Sequence, residues 1–437
     1  MQAKFGTDGI RGRYPTELNN RIAFKLGQSL PTAIGTNRLV IGMDTRESSS
    51  ELLFNVISGA RSAGVDVMNA GIVSTPLISL YSKKKEITGV MITASHNPYH
   101  DNGIKVFING EKLKKHQEKA IEDYIESNHK FTIVGVGELY SGEKVLDTYL
   151  DLIDTLDLYE TPLSVGIDSA HGANYLISLG VFREITQTLH QIGNEPNGTN
   201  INDGVGSTHI EAIQELVTSK NLDIGFSFDG DGDRVLVVDK EGTLYDGDQL
   251  IYIMACYLKQ QGLLNNNTVV LTKMSNLGII KALERQGIDV EIVDVGDKYV
   301  LEALKKHDYI LGGENSGHII LKRYLDTGDG VLNALFILKI LTDQQTTLKE
   351  LTKDITFWPQ KMVNVIVDDK SIMDDNRIQT VINTVKDAVQ DNGKVLVRPS
   401  GTEPVIRVTL SMETEALVDQ YITQIVDVIN EIKEESQ

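Results

Sequence analysis

One cysteine, Cys256, in 437 residues excludes an internal disulfide and fits a reducing cytosol. Long hydrophobic runs are also missing. Apolar side chains make up 41% of the chain, but nowhere do they reach the ~20 consecutive residues that a bilayer span needs. The opening MQAKFGTDGIRG has no apolar segment of the signal-peptide kind. The expectation is a cytoplasmic chain with no membrane role. Positive charge is scarce as well: 42 Lys and Arg against 61 Asp and Glu give a net charge of −19, which opposes approach to nucleic acid. The short basic runs at Lys83-Lys84-Lys85 and from Lys112 to Lys115 read as solvated surface. Any anion this chain binds must be taken up at a confined site.

Several familiar signatures are absent too. There is no G-x-x-x-x-G-K-[ST] for a nucleoside triphosphate and no G-x-G-x-x-G for a dinucleotide. Ser95, in Thr93-Ala94-Ser95-His96-Asn97-Pro98, lacks the flanking glycines of a hydrolase elbow. His96, as its immediate neighbour, is poorly placed to serve as a triad base. Acyl transfer is disfavoured.

What is present is a grammar of alternating strands and helices. The length suits about three or four domains. The run Arg38 to Asp44 reads as a strand, Ser48-Ser49-Ser50 as candidate helix caps, and Leu52, Leu53, Val56, Ile57 and Ala60 as a helical stripe before a strand at Val65 to Ala70. The pattern returns at Leu163 to Asp168 and at Thr268 to Thr272. This predicts α/β domains with mainly parallel sheets. VMITASHN, VGIDSAHGAN and VVLTKMSN echo one another faintly, which is too little alone to define a repeat. After Trp358-Pro359 the pattern becomes strand, helix, strand, helix in a smaller α+β domain. The expected divisions are 1–145, 146–243, 244–357 and 358–437.

Three further loops carry chemistry. Asp229-Gly230-Asp231-Gly232-Asp233-Arg234 sets three carboxylates at alternate positions between glycines, so that they can converge on one hard cation, with magnesium the natural candidate. An EF-hand would need Gly where Arg234 stands and Glu where Lys240 stands, and helices where strands are expected. An acidic surface turn is the plainer alternative, but it would leave three carboxylates without a counter-charge. The loop Arg398-Pro399-Ser400-Gly401-Thr402-Glu403-Pro404, with Arg407 beyond it, offers a forked donor, hydroxyls and amides for a phosphate, or else an ordinary turn. Gly312 to His318 brings Glu314, Asn315, Ser316 and His318 together on a glycine-rich backbone, a set suited to a polyhydroxy ligand.

The four motifs TASHNP, DGDGDR, GGENSGH and RPSGTEP, in this order, resemble those of the α-D-phosphohexomutases, and the resemblance runs from FGTDGIRG at Phe5 to the C-terminal helix. It implies three related α/β domains with mainly parallel mixed sheets and a smaller C-terminal α+β domain around a central cleft. It also implies an enzyme that interconverts hexose 6-phosphates and hexose 1-phosphates through a phosphoserine at Ser95 and a hexose 1,6-bisphosphate that serves as intermediate and activator. One magnesium ion would be held by Asp229, Asp231, Asp233 and the Ser95 phosphate. Lys105 or His318 would act as general acid/base and Arg11 and Arg234 as electrostatic partners. Glu314, Asn315 and Ser316 would contact the sugar, and Arg398, Ser400, Gly401, Thr402 and Arg407 the distal phosphate. EPNGTNIND, MSNLG, VGDKYV and TGDG are similar to the branch that acts on glucosamine phosphate and feeds UDP-N-acetylglucosamine and cell-wall precursor synthesis. Mannose or glucose phosphate as substrate, and a non-catalytic phosphosugar sensor, are the alternatives. A homodimer is left open.

Overall fold

The computed structural model describes residues 4–6, 8–127, 133, 135–400 and 404–435. Two compact units divide the chain, Met1–Lys273 with Asp289–Thr352, and Met274–Ile288 with Lys353–Gln437. Among the described residues, no helix is long and apolar enough to cross a membrane.

The first unit contains three sheets built on one plan. In the first, Arg38–Met43 pairs in parallel with Asp66–Ile72 on one side and Thr88–Ile92 on the other, and Asp101–Ile108 returns antiparallel to Thr88–Ile92. The second repeats this with Val165–Asp168 between Leu189–Ile192 and Ile224–Phe228, followed by antiparallel Val235–Asp239. The third repeats it with Thr268–Thr272 between Asp289–Val293 and Leu311–Gly313, followed by antiparallel Ile319–Leu321. The sheets are therefore mixed, parallel through the middle and antiparallel on one flank. Further antiparallel strands widen the first two sheets, including Phe5–Gly6, Gly9–Arg13 and Glu111–Lys112 in the first.

This plan re-sorts the faint sequence echo. VGIDSAHGAN and VVLTKMSN leave the central strands of their sheets, whereas VMITASHN leaves the third strand in chain order. The structurally equivalent segments are the reversals between third and fourth strands, which hold TASHNP, DGDGDR and ENSGH. Each reversal lies at the carboxyl end of a parallel strand, where open α/β sheets present their ligand loops.

Burial explains why these strands read as continuous apolar runs. Every residue of Thr88–Ile92, Ile224–Phe228, Val235–Asp239 and Thr268–Thr272 is buried, as expected where both sheet faces are covered. In the first sheet Leu39, Ile41, Val90 and Ile92 share a core with helices Asn20–Ile34, Glu47–Ser62 and Lys115–Glu126. The alternate positions Gly42 and Gly89 point the other way, where Ile78 of helix Thr75–Lys85 fills the space beside them. The serine run is not a cap: Arg46 holds the N-cap position of Glu47–Ser62 with extended backbone angles, and Ser48 and Ser49 are buried in the first turn. There Ser49 donates to Asp44 at 2.6 Å, a contact that local periodicity could not reveal.

In the second unit, Gln360–Ile366, Val405–Met412 and Gly393–Pro399 form an antiparallel sheet with Val405–Met412 in the middle. Helices Asn376–Val389 and Glu415–Glu435 bury Ile378, Val385, Ile425 and Ile429 in its core. Met274–Ile288 belongs to this unit although in sequence it interrupts the third sheet. Asn276 ties it to Trp358 reciprocally, donating to the carbonyl at 3.0 Å and accepting from the N–H at 3.1 Å.

Candidate active site

The reversal after Thr88–Ile92 holds Ser95 in a left-handed conformation, with φ of 54°, a region that residues with a side chain seldom occupy. Its surroundings account for this. Thr93 Oγ1 accepts from the Ser95 N–H at 2.9 Å, and the Ser95 carbonyl accepts from both Arg46 and Asn202 at 2.9 Å. The hydroxyl, 1% exposed as a residue, donates to Asp229 at 2.7 Å. The same turn corrects the expectation for His96, because it folds the adjacent ring back to bring Nδ1 within 3.1 Å of Ser95 Oγ. Either atom can donate across this contact, according to the tautomer of the ring. Burial and then Arg234 and Arg11 push its pKa down to about 4.

Asp229, Asp231 and Asp233 converge as expected: all three are buried, with a ligand oxygen from each lying within 4.8 Å of the others. A Cβ at Gly230 would lie 2.5 Å from the Ser95 carbonyl, so glycine there permits the acidic loop to touch the serine loop. Burial, followed by Asp233 and Asp231, drives the Asp229 carboxyl well above its ordinary range. Burial opposes ionisation of Asp233 too, but Lys105 and His318 outweigh it and hold that carboxyl well below the usual range. Asp231 Oδ1 and Asp233 Oδ1 are buried without a hydrogen-bond partner. Orphaned carboxylate oxygens in an all-oxygen set fit a hard divalent cation.

Lys105 lies inside this cluster, 3% exposed, with Nζ 2.7 Å from Asp231, 2.8 Å from Asp8 and 3.6 Å from Asp233. Burial works against its charge, yet the three carboxylates more than offset that and hold the ammonium well above the ordinary lysine range. Arg234 donates its backbone N–H to Asp229 at 3.2 Å and sets Nε 3.8 Å from Asp233. Arg11 pairs with Asp8. His318 places Nδ1 3.5 Å from Asp233 and Nε2 3.8 Å from Asp297. Burial lowers its pKa, but Asp233 and Asp297 prevail and raise it to about 9. The Gly328 N–H, 3.2 Å from Nε2, instead favours a ring protonated on Nδ1 alone. A cation that engaged Asp233 would tip the balance toward that form.

The third reversal is a tight turn in which Gly317 N–H donates to Glu314 O and Glu314 N–H to His318 O. Glu314 Oε1 accepts from Gly296 N–H at 3.0 Å, Ser316 Oγ is buried without a partner, and Asn315 is exposed. In the second unit, Arg398 and Arg407 stand directly opposite in register on adjacent strands. Like charges so placed repel, and an anion between them would relieve it. Ser400 is buried, and its carbonyl accepts from Lys370 at 2.6 Å. Gly401 and Thr402 lie outside the described residues.

Sequence reasoning missed Asp8, Lys112 and Asp297, and it misread Lys112 as solvated surface, whereas Lys83 to Lys85 are exposed as expected. Lys112 bridges Asp8 at 2.6 Å and Asp297 at 2.7 Å, and Lys83 reaches Asp326 at 2.7 Å. The segments FGTDGIRG and VGDKYV were visible, but no local pattern links them.

Corresponding reversals of three α/β sheets carry a buried serine, a carboxylate triad and a glycine-rich polar turn, and comparison with known proteins supplies the class to which this arrangement belongs. Models of phosphoglucomutase/phosphomannomutase alpha/beta/alpha domains I, II and III match residues 2–131, 147–242 and 246–357, and the C-terminal domain model matches 362–428. A phosphoglucosamine mutase of Bacillus velezensis is 43% identical over 441 residues, covering 98% of each chain. A phosphoglucomutase/phosphomannomutase family protein from Burkholderia thailandensis has the same fold, with a TM-score of 0.84 at 22% identity over 99% of this chain and 98% of that one. An Aspergillus fumigatus N-acetylphosphoglucosamine mutase, solved with GlcNAc-6P and magnesium, superposes with a TM-score of 0.68 at 16% identity over 98% and 96%. The chain belongs to the α-D-phosphohexomutase family and is a phosphohexose mutase. Within the family it groups with the phosphoglucosamine mutases.

Proposed function

We propose that the chain interconverts glucosamine 6-phosphate and glucosamine 1-phosphate by carrying a phosphoryl group on Ser95. The observation that carries this reading is the buried Ser95 hydroxyl, held in a left-handed turn 2.7 Å from the carboxylate triad. A sensor has no use for such a nucleophile. In the forward half, the phosphoserine O–P bond breaks as a sugar hydroxyl oxygen bonds to phosphorus and gives up its proton, forming a hexose 1,6-bisphosphate. After the bisphosphate turns end for end, its other phosphoryl group returns to Ser95. A divalent cation held by Asp229, Asp231 and Asp233, magnesium by the character of the donors, would neutralise charge on the transferring group.

Lys105 and His318 are the groups assigned to proton transfer, and their positions beside Asp231 and Asp233 support it. Arg11 and Arg234 add positive charge. Glu314, Asn315 and Ser316 take the sugar hydroxyls, and Arg398, Ser400, Gly401, Thr402 and Arg407 the phosphate that is not reacting. We assign these tasks to segments 1–145, 146–243, 244–357 and 358–437, working in the cytoplasm. The test combines intact mass, with and without phosphatase, with turnover of three sugar phosphates. Wild type should carry one extra phosphoryl group on Ser95. It should favour glucosamine phosphate over glucose or mannose phosphate by at least about tenfold in kcat/KM, ~1.4 kcal/mol in transition-state energy. Equal or better turnover of the others would overturn the substrate.

A further inference from the structure

Six side chains close a ring of alternating acids and bases around the reaction centre. Asp233 lies 3.6 Å from Lys105, Lys105 2.8 Å from Asp8, and Asp8 2.6 Å from Lys112. Lys112 lies 2.7 Å from Asp297, whose carboxylate is 3.8 Å from His318, and His318 returns to Asp233 at 3.5 Å. Five members belong to the groups already assigned to metal binding or proton transfer, or pair directly with one of them. Lys112 touches none of the reacting groups. It sits on the short strand Glu111–Lys112 of the first sheet and spans to Asp297, the first residue of helix Asp297–Lys306 beside the third.

We propose that Lys112 is a positioning residue, which locks the sugar-recognition turn of the third sheet to the phosphoryl-transfer face of the first. The proposal rests on the phosphoserine reading above. Its route is explicit. Lys112 fixes Asp297, the preceding Gly296 N–H holds Glu314 Oε1 at 3.0 Å, and Asp297 also faces His318. Without the ammonium, Asp8 and Asp297 would confront each other as like charges across the space Nζ had filled. Repulsion would drive the Gly296–Asp297 turn outward, carrying the partner of Glu314 with it. The sugar would then meet the phosphoserine in a worse orientation.

A second bridge between the same layers supplies a control. Lys305 pairs with Glu111 at 2.7 Å and Asp326 at 3.4 Å, away from the reacting groups. The experiment loads Ser95 with phosphate and follows two fates by intact mass: transfer to glucosamine phosphate in a single turnover, and slow loss to water. Lys112→Met should slow transfer about 10- to 100-fold, as a misplacement near 1 Å does. KM and loss to water should each stay within about threefold, since neither depends on how the sugar is aimed. Asp297→Asn should reproduce the effect, and the double variant should be no worse than either single, because both break one link. Lys112→Arg should regain most of the rate, and Glu111→Gln should behave as wild type. Should Lys112→Met fail to fold, Asp297→Asn and Lys112→Arg carry the test. Unchanged transfer, equal losses in transfer and hydrolysis, or multiplying losses in the double variant would overturn the proposal. Wild type that never acquires phosphate on Ser95 would instead remove the carrier reading beneath it.

Discussion

Arg46→Met offers a demanding test of how the serine loop is built. Arg46 and Asp44 form an ion pair at 2.9 Å with both side chains fully buried. The guanidinium also donates to three carbonyls of the loop, those of Ser95, Asn97 and Pro98. Removing one partner of a buried pair costs about 3–5 kcal/mol, because the remaining charge stays in a low dielectric. Asp44 keeps donors from Ser49 Oγ at 2.6 Å and the residue-46 N–H at 3.1 Å, which argues for the lower half of that range. Asn202 still serves the Ser95 and Asn97 carbonyls, so only the Pro98 carbonyl is orphaned, adding about 1–3 kcal/mol. The sum is roughly 4–7 kcal/mol, or a fall of about 5–10 °C in the Tm of a unit this large. Activity should fall further than stability, because only Thr93 and Asn202 would then hold the Ser95 backbone in its left-handed turn. Arg46→Lys should recover part of the stability, since an ammonium can neutralise Asp44 but cannot fork to three carbonyls. Thermal unfolding by circular dichroism and single-turnover transfer on the same preparations measure both. A methionine variant that melts and turns over like wild type would refute the reasoning.

Other outcomes follow from the same geometry. Ser95→Ala should lower mutase activity by several orders of magnitude with an unchanged circular dichroism spectrum, since a methyl group cannot accept phosphate; near-normal turnover would sink the carrier. Asp231→Asn should weaken magnesium binding and turnover together, measured by calorimetry and assay, and it also strips Lys105 of a partner at 2.7 Å. Chelation should stop wild type and magnesium restore it, whereas full activity in chelator would contradict the metal site. Arg398→Ala should raise KM, lower kcat and release more bisphosphate during turnover, because binding remote from the reaction helps orient the sugar. Unchanged kinetics without escape of the intermediate would move the phosphate site elsewhere.

What the sequence determined by itself is what lies within a few consecutive residues. Continuous apolar runs marked buried strands, and the abrupt polar loops after Ile92, Phe228 and Gly313 marked the equivalent reversals of the three sheets, because a chain leaving a buried strand can change character only at its end. Asp229, Asp231 and Asp233 were legible as one ligand set since a glycine-spaced loop brings alternate side chains together without help from the rest of the fold. Tertiary structure decided everything that depends on which loops share an edge. Ser49 turned from cap to buried partner of Asp44 because the helix starts two residues earlier than the serine run suggests. His96 reaches Ser95 only through a backbone twist that Arg46 and Asn202 impose from distant segments. Lys112 reads as one more surface lysine until the first and third sheets set Asp8 and Asp297 on either side of it, for pairing between charges far apart in sequence follows the folded path of the chain and leaves no period in the sequence to read.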